Sequence, residues 1–148
     1  MNLYIIKSLY SIIYKSAARP ELSKKDLKEI SRVSSSNNAK EGISGMLLYV
    51  EGEFLQLLEG EKEKVLTTFS RISIDGRHTD INIICESHQK QRQFEEWNIG
   101  FYSLTGKEFQ DKTGFKSIKS YFEADKYQDE IMLVFLLKQY AELANKQT

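Results

Sequence analysis

Two side chains suited to hydrogen-bond and proton chemistry stand in apolar stretches of this sequence, Tyr14 and Gln56. Gln56 interrupts the apolar run 54–58, and a buried amide costs free energy unless it is hydrogen-bonded. Its amide carries one acceptor oxygen and two N–H donors, so it can bridge two partners. A phenol such as that of Tyr14 can donate a hydrogen bond and can give up an electron and a proton. From the residues alone, a strand tyrosine and a core glutamine satisfied by the backbone remain the alternatives.

The other reactive side chains carry weaker signals. Cys85 is the single cysteine, so it cannot form an intrachain disulfide, and its apolar run 83–85 favours a buried, inert thiol. Arg77 and His78 form a basic pair that solvent alone would satisfy. His88 has no partner cluster, so no metal site is predicted. A single cysteine suits a reducing compartment, and we expect a cytoplasmic protein.

The composition bounds the class of protein. The 148 residues are 41% hydrophobic and 28% charged, typical of one soluble globular domain. Lys+Arg and Asp+Glu both number 21, so the basic excess typical of a nucleic-acid binder is absent. No stretch approaches the roughly 20 apolar residues of a membrane span, and the N-terminus lacks a secretory signal pattern.

The candidate functional residues lie within a regular alternation of predicted strands and helices. Ser23, with Asp26 three residues on, predicts the start of a helix, which we expect to end at the polar group 35–38. Glu51-Gly52 joins two apolar runs and predicts a hairpin. The predicted strands are 10–14, 45–50, 53–58, 81–85 and 97–102, the second helix carries Val65, Phe69 and Ile72, and an apolar helix follows Asp129.

The order strand-helix-strand-strand-helix-strand predicts a ferredoxin-like βαββαβ fold of the α+β class, with an added fifth strand. Strands one and three are then central neighbours in a mixed sheet that carries two helices on one face. Because side chains alternate along a strand, Tyr14 and Gln56 should both point between helices and sheet. The opposite face shows Ile13, Leu55 and Leu57, so it needs a second cover, for which the C-terminal helices are the candidates.

Several motifs in this order resemble the signature of the BLUF domain family. They are the runs 14–16, 37–39 and 45–60, the pair Arg77-His78, and Phe94 with Trp97. The resemblance covers residues 9–103, leaves 1–8 as an N-terminal extension, and makes 104–148 a C-terminal helical cap of the same globular unit. The C-terminal extension also resembles that of the short members of the family, which carry two trailing helices and no enzymatic domain.

The resemblance implies a flavin-binding blue-light photoreceptor. Tyr14 falls at the electron-donor position, and Gln56 at the position of the amide that bridges the Tyr14 hydroxyl and the flavin. FAD is the expected cofactor, with FMN and riboflavin as alternatives. The residues that fall at cofactor-binding positions are Ser16, Ile30, Ser34, Asn37, Asn38, Phe54, Gln56, Ile72, Arg77 and His78.

The resemblance also implies how a signal leaves the site. Trp97 and Ile99 fall at relay positions on the fifth strand, and Ile99 replaces a methionine found in many members. Without an effector domain or enzymatic activity, the output would be a protein contact, through a homo-oligomer (a dimer or larger) and a downstream protein partner. Nucleic acid and membrane are not expected partners.

Two alternatives share the fold. An acylphosphatase-like hydrolase needs a catalytic arginine in a phosphate-binding loop, and the first strand-to-helix loop offers only Arg19, without a glycine-rich cradle. A non-photochemical binding module for small molecules or RNA is the other. RNA would require exposed aromatic side chains on the open sheet face, whereas the predicted face is aliphatic.

Overall fold

The computed structural model describes residues 9–94, 98–124, 134 and 136–139, with the backbone alone for 98–102 and 124. Residues 134 and 136–139 are helical. In chain order, the elements of the described part are β1 (Leu9–Ala18), α1 (Lys24–Lys40), β2 (Ser44–Val50), β3 (Glu53–Glu61), α2 (Lys62–Ser73), β4 (His78–Gln89), β5 (Asn98–Leu104), α3 (Gly106–Thr113) and α4 (Ile118–Ala124).

The strands form one mixed sheet in the order β4-β1-β3-β2-β5. β1 is antiparallel to both β3 and β4, β2 is antiparallel to β3, and β2 is parallel to β5. The first and third strands are therefore central neighbours, as the sequence predicts. The α+β architecture with an added fifth strand is confirmed.

The β2–β3 hairpin turns through two residues with positive φ, Glu51 at 38° and Gly52 at 89°. This pair of conformations is that of a type I′ turn, whose twist matches that of the flanking strands. Further along the hairpin, Gly45 lies so close to β3 that a Cβ atom would stand 1.9 Å from the carbonyl oxygen of Leu57. Only glycine permits this approach of the two strands.

Helix α1 begins as predicted but ends later. The hydroxyl of Ser23 accepts a hydrogen bond from the Asp26 amide at 3.1 Å, and the Asp26 carboxylate accepts one from the Ser23 amide at 2.9 Å. The predicted end at 35–38 is wrong, because the helix continues to Lys40. Asn38 is buried, and its carbonyl accepts from the Ile43 amide at 2.8 Å. These tertiary contacts outweigh the low helix propensity of the serine and asparagine run.

Apolar side chains are buried on both faces of the sheet. The face under α1 and α2, which we call the helix face, packs Tyr10, Ile12, Tyr14, Leu27, Ile43, Leu47, Phe54, Leu58 and Val65. The opposite face packs Ile13, Met46, Leu48, Val50, Leu55, Leu57, Phe94 and Leu104 against residues of the C-terminal segments, Phe109, Ile118, Tyr121, Leu136 and Leu137. The expected second cover is confirmed, and α3 and α4, which the sequence pattern did not predict, form part of it.

Three sequence predictions fall outside the described residues: the extension 1–8, Trp97, and most of the helix after Asp129. Ile99 lies in β5, whose backbone alone is described there. Within the part of the chain that the structure describes, no helix is both long and apolar enough to cross a bilayer.

Candidate functional site

Tyr14 and Gln56 are directly opposite each other on the two central strands. Both side chains are 3% exposed, and the Tyr14 hydroxyl donates a hydrogen bond to Gln56 Oε1. Strand alternation predicts this shared face, since one residue of offset would place either side chain on the other side of the sheet. The buried amide is thus satisfied at its oxygen by the phenol.

The surroundings of Tyr14 favour the neutral phenol. Its ring meets that of Phe69 edge-on at 5.4 Å between centroids, and the ring of His78 at 6.4 Å. Burial raises the pKa of Tyr14 well above its usual value, and the negative charge of Asp75 raises it further. The hydroxyl therefore stays protonated and acts as a donor towards Gln56.

A cavity opens beside this pair, between the sheet and the helices α1 and α2. Its volume is about 60 Å³. An adjoining cavity of about 120 Å³ shares Ser34, Ile72, Asp75 and Arg77 with it. We call the two together the helix-face cavity. Its other lining residues are Tyr14, Ile30, Leu47, Phe54, Gln56 and His78 in the first part, and Val33, Asn37, Asn38, Thr68 and Arg71 in the second.

His78 closes one end of this cavity by joining three elements. Its Nε2 lies 2.7 Å from the carbonyl oxygen of Ile72, and its Nδ1 lies 2.8 Å from Ser16 Oγ. A carbonyl only accepts, so Nε2 carries a proton, and in the uncharged ring Nδ1 accepts from the Ser16 hydroxyl. Ser16 therefore acts on the cavity through His78, whose ring is fixed between β1 and the end of α2.

Arg77 and Asp75 form an ion pair at the cavity rim. Arg77 Nη2 donates to Asp75 Oδ2 at 2.6 Å, and Arg77 Nε donates to Asp75 Oδ1 at 3.0 Å. These bonds lower the pKa of the Asp75 carboxyl and raise that of the Arg77 guanidinium. Both side chains are partly exposed, so the pair contributes little to stability. It does hold a cation at the mouth of the cavity.

The structure brings nine of the predicted side chains to the cavity wall: Ile30, Ser34, Asn37, Asn38, Phe54, Gln56, Ile72, Arg77 and His78, together with Tyr14. Ser16 lies behind His78. The sequence reasoning missed Val33, Leu47, Thr68, Arg71 and Asp75. Leu47 pairs directly with Gln56 across β2 and β3, so strand alternation would have found it. Asp75 follows the end of α2 at Ser73, where an acidic residue gives no sign of a site.

The chemistry of this wall fits a flavin. A tricyclic aromatic ring with one polar edge needs apolar walls and amide partners, which Ile30 and Ile72, and Asn37 and Asn38, supply. Thr68 Oγ1 is buried and has no hydrogen-bond partner among the residues that the structure describes. A polar ligand in the cavity would satisfy it.

The hydrolase alternative depends on Arg19. Arg19, its only candidate, donates from Nε to the carbonyl oxygen of Gly76. In the described ranges there is also no group of three His, Cys, Asp or Glu side chains placed to hold a metal ion. The RNA alternative fails because the opposite face of the sheet is covered.

The sequence model of the BLUF family, described as sensors of blue light using FAD, matches residues 9–100. Photoactivated adenylate cyclase subunit beta of Euglena gracilis is 37% identical over 93 residues, which are 62% of this chain and 11% of that protein. Subunit alpha of the same organism is 40% identical over 73 residues, which are 49% of this chain and 7% of that protein. This chain thus matches only a small part of these curated relatives.

Solved structures agree with the family match. The dark-state structure of BlrB, a BLUF protein, is 26% identical with a TM-score of 0.73, and the match covers 92% of this chain and 97% of BlrB. The ground state of BlsA is 25% identical with a TM-score of 0.74, covering 90% of this chain and 87% of BlsA. A structure of Klebsiella pneumoniae BlrP1 with FMN and cyclic diGMP is 26% identical with a TM-score of 0.61, covering 80% of this chain and 35% of that one.

The fold and the cavity define a small flavin-binding sensor domain. The chain belongs to the BLUF family, whose domains sense blue light through a bound flavin.

The raised pKa of Tyr14 predicts a particular loss of stability at alkaline pH. In the unfolded chain the phenol ionises near pH 10, whereas in the folded chain it resists ionisation. The stabilisation is therefore complete below about pH 10 and is lost as the pH rises towards the folded-state pKa. Above about pH 10 the free energy of unfolding should fall by about 1.4 kcal/mol per pH unit more steeply in the wild type than in Tyr14→Phe. Urea denaturation at several pH values measures the two slopes, with Tyr49→Phe as the control for loss of a hydroxyl, and equal slopes would contradict the prediction.

Proposed function

We propose that this chain is a blue-light receptor in which Tyr14 and Gln56 are the photoactive pair beside a flavin in the helix-face cavity. The observation that carries the proposal is their mutual hydrogen bond at the wall of that cavity, in a place sealed from solvent. FAD is the proposed flavin, following the family description. FMN is the alternative, since it is named with BlrP1.

The residues proposed to bind the flavin contribute different chemical groups. Ile30, Phe54 and Ile72 supply apolar walls, and the amides of Asn37 and Asn38 supply hydrogen-bond partners for a polar ring edge. Ser34 adds a hydroxyl. Arg77 supplies the cation suited to a phosphate group, and His78, oriented by Ser16, closes the same end of the site.

A bound flavin supplies the absorption of blue light and, when excited, an acceptor for an electron and a proton. Tyr14 is the donor on the protein side. Its hydroxyl points at Gln56 Oε1, so the amide oxygen is placed to hold the phenolic proton. Rotation or tautomerisation of the Gln56 amide then turns the side facing Tyr14 from an acceptor into a donor, and the opposite side from a donor into an acceptor. Because the surroundings are apolar, a change that redistributes hydrogen bonds costs less than one that leaves separated charges.

The proposed output is a protein contact rather than catalysis by this chain. Trp97 and Ile99 would relay the change along β5, and residues 104–148 would form a helical cap in one unit with the domain 9–103. We propose that the signal changes the contacts of this chain within a homo-oligomer and with a downstream protein partner. The named relatives include cyclase subunits, but this chain matches only 11% of the beta subunit. A cytoplasmic location suits the single cysteine.

Absorption spectroscopy of the purified chain tests the proposal. We expect a yellow protein, or one that becomes yellow on incubation with FAD, FMN or riboflavin, and a modest red shift under blue light that reverses in the dark. Chromatography of the flavin released by denaturation identifies which one is held. A chain that takes up none of the three flavins contradicts the proposal, and so does a flavin-loaded chain whose spectrum ignores blue light.

A further inference from the structure

Glu59 is a fully buried carboxylate that the light chemistry does not use. It lies on β3 three residues beyond Gln56 and is 0% exposed. Because side chains alternate along a strand, Glu59 projects to the face opposite Gln56. A buried charge is costly unless hydrogen bonds replace its lost water. The burial of the Glu59 carboxylate therefore depends on the hydrogen-bond donors around it.

Backbone amides of the segment between β4 and β5 supply those bonds. Gln93 N donates to Glu59 Oε2 at 2.8 Å, and Phe94 N donates to Glu59 Oε1 at 2.6 Å. Ser44 Oγ donates to Glu59 Oε1 at 3.0 Å. Arg92 Nη1 in turn donates to Ser44 Oγ at 2.9 Å and to the Glu59 carbonyl oxygen at 3.3 Å. The carboxylate thus binds three consecutive residues of this segment, two of them directly.

The bound segment leads directly to the predicted relay. Phe94 is 2% exposed and packs in the opposite-face core, and three residues later the sequence reaches Trp97. β5 pairs with β2, two strands away from the central pair. Through its two hydrogen bonds from Gln93 and Phe94, Glu59 connects β3 itself to the segment entering β5.

A second carboxylate on the same strand gives a natural comparison. Glu53 lies three residues before Gln56, also on the face opposite to it, and accepts a hydrogen bond from the Lys119 amide at 3.0 Å. It therefore binds the start of α4 rather than the entry to β5. Glu53 is only partly buried, so its hydrogen bond is weaker than those of Glu59 in the dry interior.

We propose that Glu59 is a positioning residue that couples Gln56 to β5, by tying Gln93 and Phe94 to the strand that carries the amide. The proposal rests on the proposed function, since it concerns the signal that the Gln56 rearrangement creates. A shift of β3 at Gln56 moves Glu59 with it. Because both amides are bonded to the one carboxylate, the segment before β5 follows.

The test is Glu59→Gln in the flavin-loaded chain, with Glu53→Gln as the matched control. A glutamine keeps the size but presents an NH₂ group to one of the two backbone donors, so one of those bonds is lost. We expect the light-induced red shift of the flavin to survive in both variants. The light-induced change in fluorescence of Trp97, the only tryptophan in the sequence, should largely disappear in Glu59→Gln and persist in Glu53→Gln. Full retention of that change in Glu59→Gln would overturn the proposal, as would an equal loss in both.

Hydrogen exchange separates this proposal from the proposed function. In the dark, the Gln93 or Phe94 amide of Glu59→Gln should exchange about tenfold faster than in the wild type, the effect of losing one charge-assisted bond. Unchanged exchange at both amides overturns the coupling, whatever the flavin does. A wild-type chain without a red shift contradicts the proposed function instead. If Glu59→Gln does not fold, Ser44→Ala removes the hydroxyl that donates to the same carboxylate and should give smaller changes of the same sign.

Discussion

We expect Gln56→Leu to abolish the light-induced red shift while flavin still binds. The leucine fills the same space in an apolar wall but can neither accept from Tyr14 nor donate towards a ligand. The Tyr14 hydroxyl, which is 3% exposed, then loses its acceptor. Leaving a buried donor unsatisfied costs about 1–3 kcal/mol, partly offset by the greater hydrophobicity of leucine. Difference spectra before and after illumination measure the first effect, and urea denaturation in the dark measures the second.

Two companion variants make this result specific. Tyr14→Phe removes the hydroxyl partner and should abolish the red shift as well. Gln91→Leu makes the same exchange at an exposed glutamine after β4 and should leave the red shift intact. A full light response in Gln56→Leu would contradict the proposed role of Tyr14 and Gln56 as the photoactive pair, but it would not contradict the fold. Loss of the light response in Gln91→Leu would show that a glutamine-to-leucine exchange removes the red shift even away from the cavity, so the loss in Gln56→Leu would not be specific to Gln56.

Phe109→Ala has the largest expected effect on stability, because it opens a cavity under α3. Phe109 is 1% exposed, belongs to the opposite-face core, and meets the ring of Tyr121 at 6.3 Å between centroids. Removing a buried phenylalanine ring costs about 3–5 kcal/mol. Gln110→Ala, at the next and exposed position, should change the free energy of unfolding by less than about 0.5 kcal/mol. Chemical denaturation followed by circular dichroism compares the three chains.

The same experiment tests whether residues 104–148 form one unit with the sheet. If they do, Phe109→Ala shifts a single transition and also weakens flavin retention at intermediate denaturant. A separate early transition that leaves the flavin spectrum unchanged would show that the cap unfolds on its own. It would contradict the proposed domain organisation.

The sequence predicts the sheet better than the helices. The order of the elements predicted the central pair of strands. The Glu51–Gly52 turn and strand alternation depend on short-range geometry, and they predicted the hairpin and the shared face of Tyr14 and Gln56. The predicted end of α1 was wrong because the helix is extended by tertiary contacts, which a local sequence pattern does not show. These contacts are the burial of Asn38 and the hydrogen bond that its carbonyl accepts from the Ile43 amide. Helices α3 and α4 have eight and seven residues, too short to show a clear apolar periodicity. The capping pair Thr105 and Glu108 was the available signal for α3.

The site residues also differ in how well the sequence predicted them. Gln56 was visible because a polar residue stands out in an apolar run. Asp75 and Thr68 were not, because charged and small polar residues around a helix end are ordinary in solvent. Glu59 also gave no sign of its burial. Its partners Gln93 and Phe94 are 34 and 35 residues away along the chain, and no local pattern specifies a contact at that separation.

The close approach at Gly45 also limits how the central hairpin can pair. A slip of one residue between β2 and β3 would keep most backbone hydrogen bonds but would turn every side chain of the slipped strand to the other face. Such a slip would bring the Cβ of Ser44 or Met46 to the place where 1.9 Å separates a Cβ position from the Leu57 carbonyl oxygen. A glycine with no chemical role thus acts as a register lock. It favours the register in which Leu47, rather than Met46 or Leu48, lies beside Gln56 at the cavity wall.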